Sequence, residues 1–158
     1  MIFIGIDPGL FGAVAIIDGA TVSIHDTPVA KTGKKSDYIP AAMAAILSDL
    51  RNAYCVIEAV HALPGQGVTS MFNFGKGFGL WLGILAGLRI PHTKVTPQAW
   101  KKQLMAGMGD KAASRIRACE LYPGCAGQLS RVKDHGRAEA LLLAHYGLIQ
   151  FGGDPLGG

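Results

Sequence analysis

The chain has 158 residues, 49% of them hydrophobic and 16% charged, with a net charge of +4 and a pI near 9.1. Such a length and composition fit one packed domain and exclude a disordered chain. The positive charge is concentrated in the second half: between Lys94 and Arg137 lie Lys94, Lys101, Lys102, Lys111, Arg115, Arg117, Arg131, Lys133 and Arg137, against only Asp110, Glu120 and Asp134.

Residues 2–6 (IFIGI) form a continuous apolar run, the pattern of a strand buried on both faces. Asp7 closes the run and Pro8-Gly9 turns the chain. A second strand is predicted over 13–17, a hairpin turn at Asp18-Gly19 and a third strand over 21–26, giving an antiparallel meander. Lys31 to Ser36 reads as a polar, basic loop. Apolar residues at Ile39, Met43, Ile46, Leu47 and Leu50 predict a helix from Asp37 to about Arg51. Residues 53–59 (AYCVIEA) are another apolar strand, again with an acid, Glu58, near its end. A Gly- and aromatic-rich helix is predicted over 68–88 and a short strand over 92–96. Thr96-Pro97 then supplies a cap and a first-turn proline for a helix through Met105. Further helices are predicted over 110–121 and 134–148. These elements define one α/β domain over 1–150 and a flexible tail over 151–158.

The three cysteines, Cys55, Cys119 and Cys125, lack CxxC spacing and indicate a reducing compartment. No basic leader precedes the first strand, and 78–90 is too short and too Gly-rich to span a bilayer. The expectation is a soluble, cytoplasmic protein with no membrane contact.

The acids carry the chemistry. Asp7 and Glu58 end apolar strands that would lie side by side, where an ionised carboxylate has a large desolvation cost unless a cation compensates it. That cation could be Lys, Arg or a divalent metal, which favours hard oxygen ligands. Asp7 alone could equally cap the turn before Pro-Gly. In KDHGRAEALLLAHYG (133–147), His135 and Glu139 are four apart and share a helix face. Asp134 lies about 140° away around the helix and suits an N-cap, although a frayed helix start would let it reach a metal. Glu139 precedes an apolar helical run, so it is either a paired core acid or a functional one. Phe72, Phe74 and Lys76 lie among glycines, where an exposed aromatic could wedge against an unstacked base. Gly75, Gly77, Gly79 and Gly83 would permit close helix packing at a dimer seam.

IGIDPG, VIEAV and DHGRAEALLLAHYG, together with MFNFGKGFGLWLGIL and VTPQAWKKQL, resemble the RuvC family of Holliday-junction resolvases, in particular the branch carrying DHGRAEALL. The resemblance covers about 1–148. It implies a ribonuclease H-like fold, a three-stranded antiparallel meander plus parallel strands in one mixed sheet flanked by helices. It also implies a homodimeric endonuclease that cuts four-way DNA with two Mg²⁺ (or Mn²⁺) ions per site, with a branch-migration helicase as a further partner. Asp7, Glu58 and Glu139 match the family's acids and His135 its accompanying His or Asp. Many relatives space that last pair by three residues, whereas here HGRAE spaces it by four and ends in Glu, which leaves Asp134 and His135 as rival fourth members. By the same resemblance Lys111 would stabilise charge on the phosphate. Lys101, Lys102, Arg131, Lys133 and Arg137, with Phe72, Phe74 and Lys76, would contact DNA.

Two other readings stay open: a ribonuclease H-like nuclease for other branched nucleic acids, and a junction-binding module without catalysis. The first differs only in substrate geometry, and the second predicts binding with no Mg²⁺-dependent nicking.

Overall fold

The computed structural model describes residues 1–59, 61, 64, 65, 67–109 and 112–153. A five-stranded sheet forms the centre. Its strands are β1 (Ile2–Asp7), β2 (Ala13–Asp18), β3 (Thr21–Asp26), β6 (Ala53–Glu58) and β7 (His92–Val95), in the order β3-β2-β1-β6-β7. β1, β2 and β3 pair antiparallel, while β6 joins β1 and β7 joins β6 in parallel. Helix α1 (Pro40–Leu47) and α2 (Val68–Gly87) cover one face. The other carries α3 (Pro97–Leu104), α4 (Ala113–Leu121) and α5 (His135–Phe151).

Alternation along the strands sorts the core into two layers. Ile4, Ile6, Cys55 and Ile57 join Trp81 and Leu85 under α1 and α2. Phe3 and Val56 join Leu141, Leu142 and Trp100 on the α5 side. By the same period of two, Asp7 and Glu58 belong to the α5 side. Since Ile6 pairs with Ile57, they leave the sheet next to each other.

Gly5 lets α5 approach the sheet. A Cβ at this position would lie 2.0 Å from the Ala140 carbonyl oxygen and 2.3 Å from the Ala144 nitrogen. The helix backbone rests directly on β1, and Glu139 is thereby brought over its end. The substitution Gly5→Val is expected to destabilise the fold by roughly 3 kcal/mol or more, because backbone rather than a flexible side chain must yield. Urea unfolding midpoints would measure it.

The structure departs from the sequence reading at several boundaries. The expected loop at 31–36 is a hairpin, β4 (Val29–Thr32) and β5 (Lys35–Tyr38), turning at Gly33 with φ 62°. Its residues are mostly exposed, so no apolar alternation marks it. Helix α1 begins at Pro40 rather than Asp37, because a proline disfavours the helical region for the residue before it and Ile39 is non-helical, with φ −109° and ψ 89°. Helix α5 runs to Phe151, three residues beyond its expected end at 148. Lys111, expected near the phosphate, lies outside the described residues, as do 154–158 of the tail.

Candidate active site

The end of β1, the turn after it, the end of β6 and the first turn of α5 enclose a cleft of about 560 Å³. Asp7, Glu58, His135 and Glu139 all line it. Three distant parts of the chain are thus brought together by strand pairing and by the α5 crossing.

Asp7 feels the charge of both glutamates, and Glu58 that of Glu139. Burial pushes the Asp7 carboxyl up to about 7, and the charges of Glu139 and Glu58 add to that, against a backbone hydrogen bond from Gly9. Asp7 therefore serves the turn as well as the cluster. Burial also raises Glu58, opposed by a hydrogen bond from Trp100. Burial acts on Glu139 in the same sense, but His135 and Lys101 outweigh it and hold this carboxyl below the usual range. Lys101 Nζ lies 2.9 Å and His135 Nε2 3.2 Å from Glu139 Oε1. The Glu139 bond in turn raises His135. The buried Ser114 hydroxyl donates to the same Glu139 oxygen at 3.4 Å.

Gly136 closes the site from beneath. A Cβ at this position would stand 2.4 Å from the Phe11 carbonyl oxygen and 3.1 Å from Asp7 Oδ2. The GR in HGRAE therefore follows His135 with the one residue that lets the helix start abut the β1 turn.

Asp134 does not join the cluster. It is buried, its Oδ1 lies 2.8 Å from Arg131 Nη2, and its Oδ2 accepts from the Arg131 backbone N–H at 2.9 Å. These contacts hold its carboxyl below the ordinary aspartate range. Although it precedes α5, its side chain makes no cap bond to that helix. His135 lines the cleft beside the acids, whereas Asp134, expected as a rival fourth member, is turned to Arg131.

Several expected DNA-facing cations are likewise occupied. Arg137 grips Asp26 with two bonds of 2.6 Å, Lys76 pairs with Asp37 at 2.6 Å, Arg131 holds Asp134, and Lys101 faces Glu139. Lys102 and Lys133 are exposed with no ion pair among the described residues, and Lys133 lines the cleft. Phe72 and Phe74, two residues apart on α2, diverge. Phe72 is 68% exposed, while Phe74 lines the cleft wall.

The sequence reading missed three participants. Trp100 donates to Glu58, Ser114 supports Glu139, and Phe11, 89% exposed, stands at the cleft mouth. Only Phe11 left a local sign, a large apolar residue in a turn.

The donor set suits a hard divalent cation: three carboxylates and an imidazole, with Asp7 and Glu58 destabilised as anions by burial and by the charge of Glu139. As the side chains stand, no three His, Cys, Asp or Glu groups among the described residues are in ligating geometry. One oxygen of Glu58 is drawn to Trp100 and one of Glu139 to Lys101 and His135.

Sheet order, helix placement and an acidic cleft at the strand ends define a ribonuclease H-like α/β protein. The fold is that of RuvC. Thermus thermophilus RuvC in complex with Holliday junction substrate superposes with a TM-score of 0.64 at 17% identity over 96% of both chains. Another T. thermophilus RuvC structure gives 0.55 at 18% identity, over 94% of this chain and 96% of that one. In sequence the chain is similar to the Holliday junction resolvase MOC1, chloroplastic, of Chlamydomonas reinhardtii, with 34% identity over 116 residues. That match covers 70% of this chain, which spans only 13% of the curated relative. No protein-family profile matches. No helix among the described residues is long and apolar enough to cross a membrane.

Proposed function

We propose that this protein is a divalent-metal-dependent endonuclease that resolves four-way DNA junctions by paired symmetric nicks. The observation that carries this reading is the convergence of Asp7, Glu58, Glu139 and His135 in one cleft on a RuvC fold. The likeness in sequence to a named junction resolvase supports the substrate.

Asp7, Glu58 and Glu139 would hold two Mg²⁺ ions, with Mn²⁺ as a substitute. Bound there, such ions activate water and stabilise the leaving oxygen of a phosphodiester. Asp7 feels the charge of both glutamates and would be the shared ligand. His135, fixed by Glu139, orients water or completes the ligand set. Lys101 pairs with Glu139 and would meet a phosphate of the bound DNA. Lys133 at the cleft and Lys102 on α3 would meet the DNA backbone, and Phe72 would meet an unstacked base.

A two-fold dimer would present two such clefts to a two-fold junction. Gly75, Gly79 and Gly83 on α2 face open space and would let a second copy's helix approach closely. A branch-migration helicase is a further candidate partner. The three free cysteines suit a reducing, cytoplasmic setting.

The test is cleavage of synthetic four-way junctions, three-way forks and RNA–DNA hybrids with and without Mg²⁺. Symmetric nicks confined to the four-way junction support the proposal. Preference for another substrate moves it to a different branched nucleic acid, and tight binding with no nicking leaves a binding module.

The cations should divide by role. For Lys133→Ala, the slope of log affinity against log salt is expected to fall by about one. Arg137→Ala is expected to leave that slope unchanged and to cost about 1 kcal/mol of stability instead, since its guanidinium already holds Asp26. Gel-shift titrations across salt, beside denaturant melts, check both.

A further inference from the structure

Trp100 is fully buried and donates its indole N–H to Glu58 Oε2 at 2.8 Å. Burial of the ring alone does not explain this bond. Trp81 is equally buried, and its indole nitrogen has no partner among the described residues.

The contact follows from the chain path. Glu58 pairs with Val95 across β6 and β7. The next residue, Thr96, caps α3 by accepting from the Ala99 N–H at 3.3 Å, with Pro97 opening the helix. One turn later Trp100 returns to the Glu58 carboxylate. Its neighbour Lys101 lies 5.1 Å from the Trp100 ring centroid and pairs with Glu139. Two consecutive residues of α3 therefore each hold one oxygen of a different acid, one delivered by β6 and the other by α5.

Resting on the nuclease reading, we infer that Trp100 is a positioning residue that sets the Glu58 carboxylate for metal binding. Three crowded carboxylates repel and would splay if their side chains could rotate. A neutral donor restrains Glu58 without cancelling the charge that a cation requires. One indole N–H occupies one lone pair of Oε2, and the rest of that carboxylate stays open to a ligand. Groups that orient a ligand in this way typically change metal affinity 10–100-fold when removed.

The chain contains two tryptophans, so the intact protein should show two indole N–H signals in a ¹H–¹⁵N spectrum, assigned with Trp100→Phe. Adding Mg²⁺ is expected to move the Trp100 signal and leave that of Trp81 in place, and Glu58→Gln should remove the response. In Trp100→Phe, the Mg²⁺ concentration for half-maximal nicking is expected to rise 10–100-fold. Junction binding in EDTA and the rate at saturating Mg²⁺ should stay within a few-fold of wild type. If Trp100→Phe does not fold, Trp81→Phe assigns the two signals instead and the indole response in the intact protein decides alone. An unmoved Trp100 signal in a protein that nicks junctions overturns the inference, as does a wild-type Mg²⁺ dependence in Trp100→Phe. A Trp100 signal that responds to Mg²⁺ in a protein that nicks nothing keeps the positioning role and removes the nuclease reading.

Discussion

Glu139→Gln is expected to lower the nicking rate on a four-way junction by on the order of 10³-fold or more, equivalent to about 4 kcal/mol of transition-state stabilisation. Junction binding in EDTA should stay within a few-fold. The substitution is nearly isosteric and keeps an acceptor for the Ser114 hydroxyl, so the first turn of α5 should hold its place. What disappears is the negative charge that Lys101 and His135 face. With it goes the only one of the three acids supplied from outside the sheet, and the remaining two ligands come from adjacent strands on one side. Single-turnover nicking at saturating Mg²⁺, beside gel shifts, would measure the effect. A variant that cuts at the wild-type rate would remove Glu139 from the site.

Asp7→Asn is expected to raise stability while abolishing cleavage. Burial and the charges of Glu139 and Glu58 move Asp7 from 3.8 to about 7. A carboxyl that is harder to ionise in the folded state than in the unfolded one stabilises the fold while protonated, and that contribution disappears as pH rises from about 4 through 7. The displacement corresponds to at most about 4 kcal/mol, less whatever the water of the open cleft screens. At pH 8 without divalent ions, the asparagine variant is therefore expected to melt roughly 5–10 °C higher. The gap should close towards pH 4, where Asp7 is neutral. Adding Mg²⁺ should raise the wild type more than the variant, because only the wild type can return the full charge to a cation. Asparagine still accepts the Gly9 amide, so a residue acting only as a turn cap would show neither the pH-dependent gain nor the Mg²⁺ difference. Thermal melts over pH 4–8 with EDTA or Mg²⁺ distinguish the two.

Much of the site was legible because its signals are local. An apolar run ending in an acid marks a buried strand with a carboxylate at its exit, and in the structure Asp7 and Glu58 leave such strands into one cleft. Helical spacing placed His135 and Glu139 on one face. The first three strands, the Thr96-Pro97 helix start and the span of α2 could be read for the same reason. Hydrophobic period and turn chemistry act over a few residues. The β4–β5 hairpin escaped because its mostly exposed residues carry no such period, and its pairing is held by backbone bonds that any sequence can make.

The chain's order of residues alone thus determined which acids sit at strand ends, that the second half is basic, and that the fold is a mixed sheet flanked by helices. Tertiary structure decided the partners. It engaged Arg137 with Asp26, 111 residues away. It set Trp100 against Glu58, 42 residues earlier. Charge and donor type are properties of single residues, whereas which opposite charge neutralises which depends on distances that exist only after α5 has crossed β1 and α3 has folded back onto β6.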